Sequence, residues 1–233
     1  MPRKLRQLFC ISPSEDIVNN QLEQSGLSKL ILVSQDLQFL AHLRQEVSTI
    51  GVEFLSLSDL NLPEPQVYER DACLALKTKG AVISADTGLP AIVYGRYFVI
   101  DPLLRYGGGG PQWRWSVPWS GSEEDLVADI FEAEDTLNRN GYCGPDDRGA
   151  LFQTLLCLVW PDSQSQIFEG RLEGQVAPLF HRRRLHDWPH RFEGCFVPNE
   201  EIAVTPTPIS GLAAWSLDQA QAVCALRRSL ETL

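Results

Sequence analysis

The first hundred residues constrain the fold most, because apolar runs typical of buried strands alternate there with segments of helical periodicity. Residues 30–34 (Leu-Ile-Leu-Val-Ser) form a buried-strand pattern, and residues 37–50 carry apolar side chains at helical spacing. A second strand is predicted at 52–57, a short helix at 67–79, and a third strand in the apolar residues 81–83. Such alternation is the signature of a parallel or mixed α/β sheet.

The rest of the chain continues this alternation. We therefore predict one α/β domain over residues 28–233, with an elongated mixed central sheet and flanking helices in two lobes. Residues 1–27 are interpreted as a polar, partly helical extension without a strong pattern. The further predicted elements are a strand at 91–100, a helix at 126–138 behind the capping residue Ser122, a hairpin of 150–159 and 166–176, short strands within 192–204, and a closing helix at 216–230.

Composition narrows the class of protein. The net charge of −10 over 233 residues argues against nucleic-acid binding, which needs a basic face. No apolar run approaches the roughly 18 residues that span a bilayer, and no secretory signal follows the basic amino terminus, so we expect a cytoplasmic protein without a membrane partner. Six scattered cysteines without a CxxC pair indicate reduced thiols.

The segment Asp86-Thr87-Gly88 follows the strand predicted at 81–83. Open α/β sheets bind ligands where their strands end. A carboxylate at that point can hold a divalent cation or activate water, and Gly88 would let the backbone approach a phosphate. The alternative is that these residues simply make a good turn.

Four segments resemble one known family. Asp86-Thr-Gly-Leu, Arg105-Tyr-Gly-Gly, the loop Asp59–Pro65 and the hairpin within Phe152–Gly174 look like motifs of the inosine triphosphate pyrophosphatase family. Members of this family hydrolyse non-canonical purine nucleoside triphosphates. As a pattern of elements, the resemblance covers residues 29–230.

The resemblance implies a mechanism and a set of site residues. Asp86 and Glu64 would hold Mg²⁺ on the triphosphate, with Asp86 as the catalytic residue, while water attacks the α-phosphorus and releases pyrophosphate and a monophosphate. Family members are commonly homodimers, so a homodimer is expected. The implied substrate-binding residues are Ser34, Asp36, Thr87, Gly88, Arg105, Phe192 (base stacking), Glu193 and Ser216. Of these, Ser34, Thr87, Arg105 and Glu193 are expected to line one cleft with Glu64 and Asp86.

The chain departs from the family at several of these positions. The family pattern Thr/Ser-x-Asn-x-x-Lys, which grips the triphosphate, begins here at Ser34 but has Asp36 for the Asn and Phe39 for the Lys. Its Ser-His-Arg motif, which contacts the base, corresponds to Ser-Leu-Asp at residues 216–218. Asp36 would place a negative charge where polyphosphate should lie, or could itself bind a metal.

Two further segments each have a functional interpretation and a purely structural one. The run 181–191 carries four arginines and three histidines within an acidic chain, which suits anion capture, a solvated loop or a subunit contact. A zinc site on its histidines is disfavoured by Pro189. Trp113, Trp115 and Trp119 could stack on a base or simply pack locally.

Three hypotheses of function follow. The leading one is a divergent, Mg²⁺-dependent nucleoside triphosphate pyrophosphatase. Its rival is a degenerate family member that binds a nucleotide or a protein without hydrolysis. The third is a hydrolase of another phosphorylated metabolite that uses residues 182–184 as its anion site.

Overall fold

A computed structural model describes residues 28–34, 36–47, 50–69, 71–104, 114–117, 121–142, 144, 147–176, 196–199 and 216–232. These residues divide between two compact units. The described part of unit 1 comes from residues up to Tyr94, from Leu156–Phe168 and from Ala225 onward; unit 2 takes the described residues of Gly95–Leu155 and Glu169–Cys224.

The elements alternate between strands and helices through much of the chain. In order they are β1 (Lys29–Val33), α1 (Leu37–Val47), β2 (Glu53–Ser56), α2 (Ala72–Thr87), β3 (Ala91–Ile100), α3 (Asp101–Leu104), β4 (Arg114–Ser116), α4 (Glu123–Arg139), β5 (Gly149–Val159), β6 (Ser165–Val176), β7 (Phe196–Pro198) and α5 (Leu217–Glu231).

Within the described ranges the strands form one mixed sheet. Its order is β2-β1-β3-β5-β6-β7, and β4 pairs with β3 beside this path. Strand β1 runs parallel to β2 and β3, whereas β3–β4 and β6–β7 are antiparallel. The predicted α/β fold with a mixed central sheet is confirmed, and so are the two long neighbouring strands of the predicted hairpin, β5 and β6. Of the strands predicted within 192–204, β7 lies in the described residues.

Strand β1 forms the centre of the unit 1 core. Its residues Leu30 to Val33 are almost completely buried, which agrees with an apolar run that lies between two neighbouring strands and is covered on both faces. Val33 is in register with Val93 of β3, so these two strands advance together toward the same edge of the sheet.

The prediction of a strand at 81–83 is wrong, because these residues belong to helix α2. Asp71 caps the start of the helix by accepting a hydrogen bond from the Leu74 N–H. Gly88 ends the helix in the left-handed conformation with φ of 69°, and its N–H donates to the Ser84 carbonyl. The short helix predicted at 67–79 therefore begins later and continues to Thr87. A short apolar run does not distinguish a strand from a buried helical turn.

Helix α2 lies unusually close to the sheet of unit 1. A Cβ placed on Gly80 would come within 2.5 Å of Val159 Cγ2 and 3.1 Å of Val93 Cγ2. One turn later, the buried Ser84 hydroxyl donates to the Val159 carbonyl at 2.9 Å. Gly80 and Ser84 thus allow a helix–strand approach that larger side chains would prevent.

Unit 2 has its own aromatic and aliphatic core. The Phe98 ring packs against Trp115 and Phe152, with ring centroids 6.1 and 5.0 Å away. Helix α4 covers this core with Leu126, Ile130, Ala133 and Leu137 and begins, as predicted, behind Ser122, whose hydroxyl oxygen accepts from the Asp125 N–H.

A buried ion pair holds the first turn of α5 against β3 and β5. The fully buried Asp218 carboxylate accepts from Arg96 Nε at 2.8 Å and Nη2 at 3.2 Å, and from the Thr154 hydroxyl at 2.7 Å. The Arg96 guanidinium also lies 4.5 Å from the centre of the Phe152 ring. Gly170 permits the close approach of α5, since a Cβ there would collide with the Asp218 carbonyl oxygen.

No helix in the described part of the chain is long and apolar enough to cross a membrane.

Replacing Gly80 by Val should destabilise the protein. The new side chain must displace α2 from Val159 and Val93, and overpacking of this kind costs about 1–3 kcal/mol. Urea unfolding measures the effect, with Ala81→Val on the more exposed side of the helix as the matched control. Equal free energies of unfolding for the two variants would contradict the close approach.

Replacing Asp218 by Ala should lower the free energy of unfolding by about 3–5 kcal/mol, because Arg96 would stay buried without its carboxylate. The double variant Arg96→Met with Asp218→Leu should recover part of this loss. The exposed pair Arg139–Asp135 supplies the control, since Arg139→Ala should change stability by less than about 1 kcal/mol. A similar small change for Asp218→Ala would show that the buried pair is not structural.

Candidate functional site

The predicted substrate residues Ser34 and Asp36 lie at the carboxyl end of β1. The Asp36 N–H donates to Ser34 Oγ at 2.9 Å, and the Asp36 carboxylate accepts from the Phe39 N–H at 2.9 Å. Asp36 therefore caps α1 with its own carboxylate. The free N–H groups and positive dipole end of a helix amino terminus otherwise attract phosphate. Here a built-in negative charge already occupies that position.

An aromatic pair lies beside this cap. The rings of Phe39 and Tyr94 stack with centroids 3.7 Å apart and an interplanar angle of 16°. Phe39 is 3% exposed and Tyr94 9%. Tyr94 comes directly after Val93, the residue of β3 that is in register with the end of β1. The position that the resemblance assigns to a phosphate-gripping lysine is thus an apolar contact.

Sequence reasoning identified Phe39 as a departure but missed Tyr94. The available signal was the interruption of the apolar run of β3 at Tyr94-Gly95-Arg96. That interruption indicates a special position in a strand, but the stacking partner became visible only when α1 and β3 were placed side by side.

The segment Asp86-Thr87-Gly88 lies at the carboxyl end of a helix and not, as predicted, at the end of a strand. The Thr87 hydroxyl donates to the Ile83 carbonyl at 2.7 Å, and the Gly88 N–H is used in the helix cap. Asp86 is exposed. The negative end of the α2 dipole adds to its charge, so this point suits a cation better than a phosphate.

The residues predicted to share one cleft lie at opposite edges of the unit 1 sheet. Gly88 precedes β3, and the Pro90 carbonyl accepts from the Ile31 N–H near the start of β1. Ser34 follows the end of β1, about 10 Å further along the strand direction. The structure therefore does not bring Asp86, Thr87 and Gly88 together with Ser34 and Asp36.

The other predicted metal ligand, Glu64, is engaged by a lysine. Glu64 Oε1 lies 2.5 Å from Lys79 Nζ. Lys79 and Asp86 are seven residues apart on one side of α2, about 10 Å along its axis, and lysine side chains lean toward the helix amino terminus, away from Asp86. Two carboxylates at this separation do not suit one shared Mg²⁺, whose ligands lie about 2 Å from the ion. No group of three or more His, Cys, Asp or Glu residues that could hold a metal occurs among the residues that are described.

Asp59, at the start of the predicted acidic loop, organises a turn. Hydrogen bonds from the Ser56 hydroxyl and N–H, together with one from Arg44, lower the pKa of the Asp59 carboxyl from 3.8 to about 2. Its carboxylate is therefore committed to the turn at neutral pH.

In unit 2 the predicted substrate residue Ser216 is part of the α5 start. Its hydroxyl donates to Asp218 Oδ1 at 2.5 Å and to Gln219 Oε1 at 3.0 Å. Trp115 is buried in the unit 2 core, where its indole N–H donates to Asp129 at 3.0 Å, in agreement with local packing. Outside the described residues lie Arg105, Trp113, Trp119, the run 181–191, Phe192 and Glu193.

Comparison with known proteins places the chain among one group of enzymes. No protein-family model matches it. A dITP/XTP pyrophosphatase from a Bradyrhizobium species is 31% identical over 150 residues, which cover 64% of this chain and 67% of the relative. The dITP/XTP pyrophosphatase of Gluconobacter oxydans is 27% identical over 180 residues, covering 75% and 77%.

Solved structures agree at the level of the fold. A HAM1 protein from Coxiella burnetii superposes with a TM-score of 0.65 at 18% identity and covers 88% of this chain and 100% of its own. A nucleoside-triphosphatase, dITP/XTP pyrophosphatase, from Mycobacterium abscessus gives 0.53 at 23%, covering 87% and 96%. The sequence relationship and the shared fold together show that the chain is a divergent member of the dITP/XTP pyrophosphatase family, the inosine triphosphate pyrophosphatase family of the resemblance above.

Proposed function

We propose that this protein binds purine nucleotides and that it hydrolyses triphosphates more slowly than an active family member does. Its relatives are named for their action on purine nucleotides. The observation that carries this proposal is the stacking of Phe39 on Tyr94, beside the carboxylate cap of Asp36. The relationship to dITP/XTP pyrophosphatases supports nucleotide binding.

The residues at the carboxyl end of β1 do not favour the binding of a triphosphate. A charge-assisted hydrogen bond from a lysine to phosphate contributes about 1.5–3 kcal/mol, and a phenyl ring at position 39 cannot make one. A carboxylate about 4 Å from a phosphate oxygen adds a repulsion of roughly 1–4 kcal/mol, depending on exposure to water. Both changes act in the same direction. The nucleoside part of the ligand should therefore supply most of the affinity.

The two predicted metal ligands, Glu64 and Asp86, are separated among the described residues. Glu64 is paired with Lys79, and Asp86 lies two helical turns from that pair. Since these carboxylates do not fit one Mg²⁺, no catalytic step is assigned to the metal.

Mg²⁺-dependent hydrolysis to a monophosphate and pyrophosphate is the second candidate. The observation in its favour is the 31% identity to a dITP/XTP pyrophosphatase over 150 residues. In this form of the proposal Asp86 is the catalytic residue, Asp86 and Glu64 hold the metal, and the protein is a homodimer. It requires Glu64 to leave Lys79 and to move toward Asp86.

Pyrophosphate release separates the two candidates. With Mg²⁺ and the triphosphates of inosine, xanthosine, adenosine or guanosine, we expect release at least about a hundredfold slower than by the Bradyrhizobium relative assayed beside it, since each 1.4 kcal/mol of lost stabilisation costs tenfold. Asp86→Asn should leave any residual rate unchanged. A rate like that of the relative, abolished by Asp86→Asn, would establish the second candidate and overturn the first.

Asp36→Asn should strengthen triphosphate binding. Asparagine also caps helices well, so α1 should remain intact while the negative charge is removed. We expect about a tenfold lower Kd for inosine triphosphate, from the repulsion given above, and an unchanged Kd for inosine, both by calorimetry. Glu53→Gln removes one charge at the opposite end of the β1–β2 pair and is the matched control. An unchanged triphosphate Kd for Asp36→Asn would place the phosphates elsewhere.

A further inference from the structure

Helix α4 ends in a hydrogen-bonded turn that requires a glycine. The Tyr142 N–H donates to the Leu137 carbonyl at 2.9 Å, and the Gly141 N–H donates to the Asn138 carbonyl at 3.1 Å. Gly141 has a φ of 81°, in the left-handed region that glycine adopts without strain. These two bonds form a Schellman motif, and Tyr142 packs against the core that contains Leu137, as is common for this motif.

Asn140 comes directly before this glycine and closes the helix with its side chain. Its Nδ2 donates to the Thr136 carbonyl at 2.7 Å, and its backbone N–H donates to the same carbonyl at 3.2 Å. Asn140 is exposed to water. It is the only asparagine in the sequence that precedes a glycine. The way in which α4 ends therefore places an exposed asparagine next to a residue that has no side chain.

An exposed Asn-Gly pair can lose its side-chain amide by reaction with its own backbone. The Gly141 nitrogen gives up its proton to solvent and bonds to Asn140 Cγ, while the bond from Cγ to Nδ2 breaks and ammonia leaves. Water then opens the cyclic imide at either carbonyl, which yields aspartate or isoaspartate. One water is consumed and one ammonia is released, without oxidation or reduction. Nothing lies within 4 Å of the position of a Cβ on Gly141, so the surroundings leave room for the ring.

The folded turn holds both reacting groups in other hydrogen bonds. The Gly141 N–H is directed at the Asn138 carbonyl, and Asn140 Nδ2 is directed at the Thr136 carbonyl. Ring closure therefore requires the last turn of α4 to open. Such local opening of a helix end needs much less free energy than global unfolding does.

We propose that Asn140 is a deamidation site, that opening of the last turn of α4 controls its reaction, and that the products loosen this turn. A carboxylate at position 140 cannot donate to the Thr136 carbonyl, and its charge lies at the negative end of the helix dipole. Isoaspartate also adds a backbone carbon between the amides of residues 140 and 141, which shifts the donors of the Schellman motif. The loosened turn adjoins Leu137, which is fully buried in the unit 2 core. This site is independent of nucleotide binding.

Incubation of the full-length protein in a mildly alkaline buffer tests the site. Peptide mapping by mass spectrometry, with detection of isoaspartate, should show that the product accumulates at Asn140. Asn138 is the internal control, because it lies in the same helical turn but precedes Arg139 and should remain intact. The same chain unfolded in urea should react about tenfold faster or more at Asn140, because the hydrogen bonds of the turn no longer hold the reacting groups.

The consequence for α4 is measured by hydrogen–deuterium exchange. Asn140→Asp represents one product, and the amides of residues 140–142 should exchange about tenfold faster in this variant than in the unaltered protein, since one hydrogen bond is lost and one unfavourable charge is added. Asn138→Asp is the matched control. It adds the same charge to the same turn but keeps the contact of Asn140 with the Thr136 carbonyl, so the increase should be smaller.

Four results would overturn the proposal. If Asn140 in the folded protein stays intact for as long as Asn138 does, it is not a deamidation site. Equal rates in the folded and the unfolded chain would show that the turn does not control the reaction. Unchanged exchange in Asn140→Asp would show that the product does not loosen α4, and an equal increase in Asn138→Asp would leave no role for the Asn140 amide.

Discussion

The parallel pairing of β1 with β3 decides which side chains meet at each edge of the sheet in unit 1. Because Val33 is in register with Val93, the residues that follow them, Asp36, Phe39 and Tyr94, gather at the carboxyl edge. Helix α2 returns the chain to the opposite edge before β3 begins. Any residue at the end of α2 is therefore separated from the first group by most of a strand, whatever its sequence resembles.

The amino terminus of α1 and the carboxyl terminus of α2 also determine the charge at the two ends of these strands. The amino terminus of α1 points its dipole toward the carboxyl edge, but Asp36 supplies the anion that such a terminus attracts. The carboxyl terminus of α2 presents negative potential next to the exposed Asp86. Among the described residues, both of these helix ends therefore carry a carboxylate, Asp36 at the start of α1 and Asp86 at the end of α2.

The fold of this protein and the chemistry of a site depend on different side chains. The fold depends on apolar runs such as β1, on the close approach of α2 at Gly80, and on the buried Arg96–Asp218 pair. All three features are present in this chain. The chemistry of an enzyme depends on a few polar side chains, and an apolar residue such as Phe39 can occupy one of those positions within an intact packing. Membership of a family therefore fixes the architecture more firmly than the activity.

The sequence alone determined the α/β class, the mixed sheet, the β5–β6 pair and the cap at Ser122, because apolar periodicity and capping act over a few neighbouring residues. It also identified Asp36 and Phe39 as departures from the family. Only the tertiary structure decided that residues 81–83 are helical, that Asp86 and Ser34 lie at opposite edges, and that Tyr94 covers Phe39. These are facts about which distant segments lie side by side, and that depends on packing of the whole unit, which a local pattern does not encode.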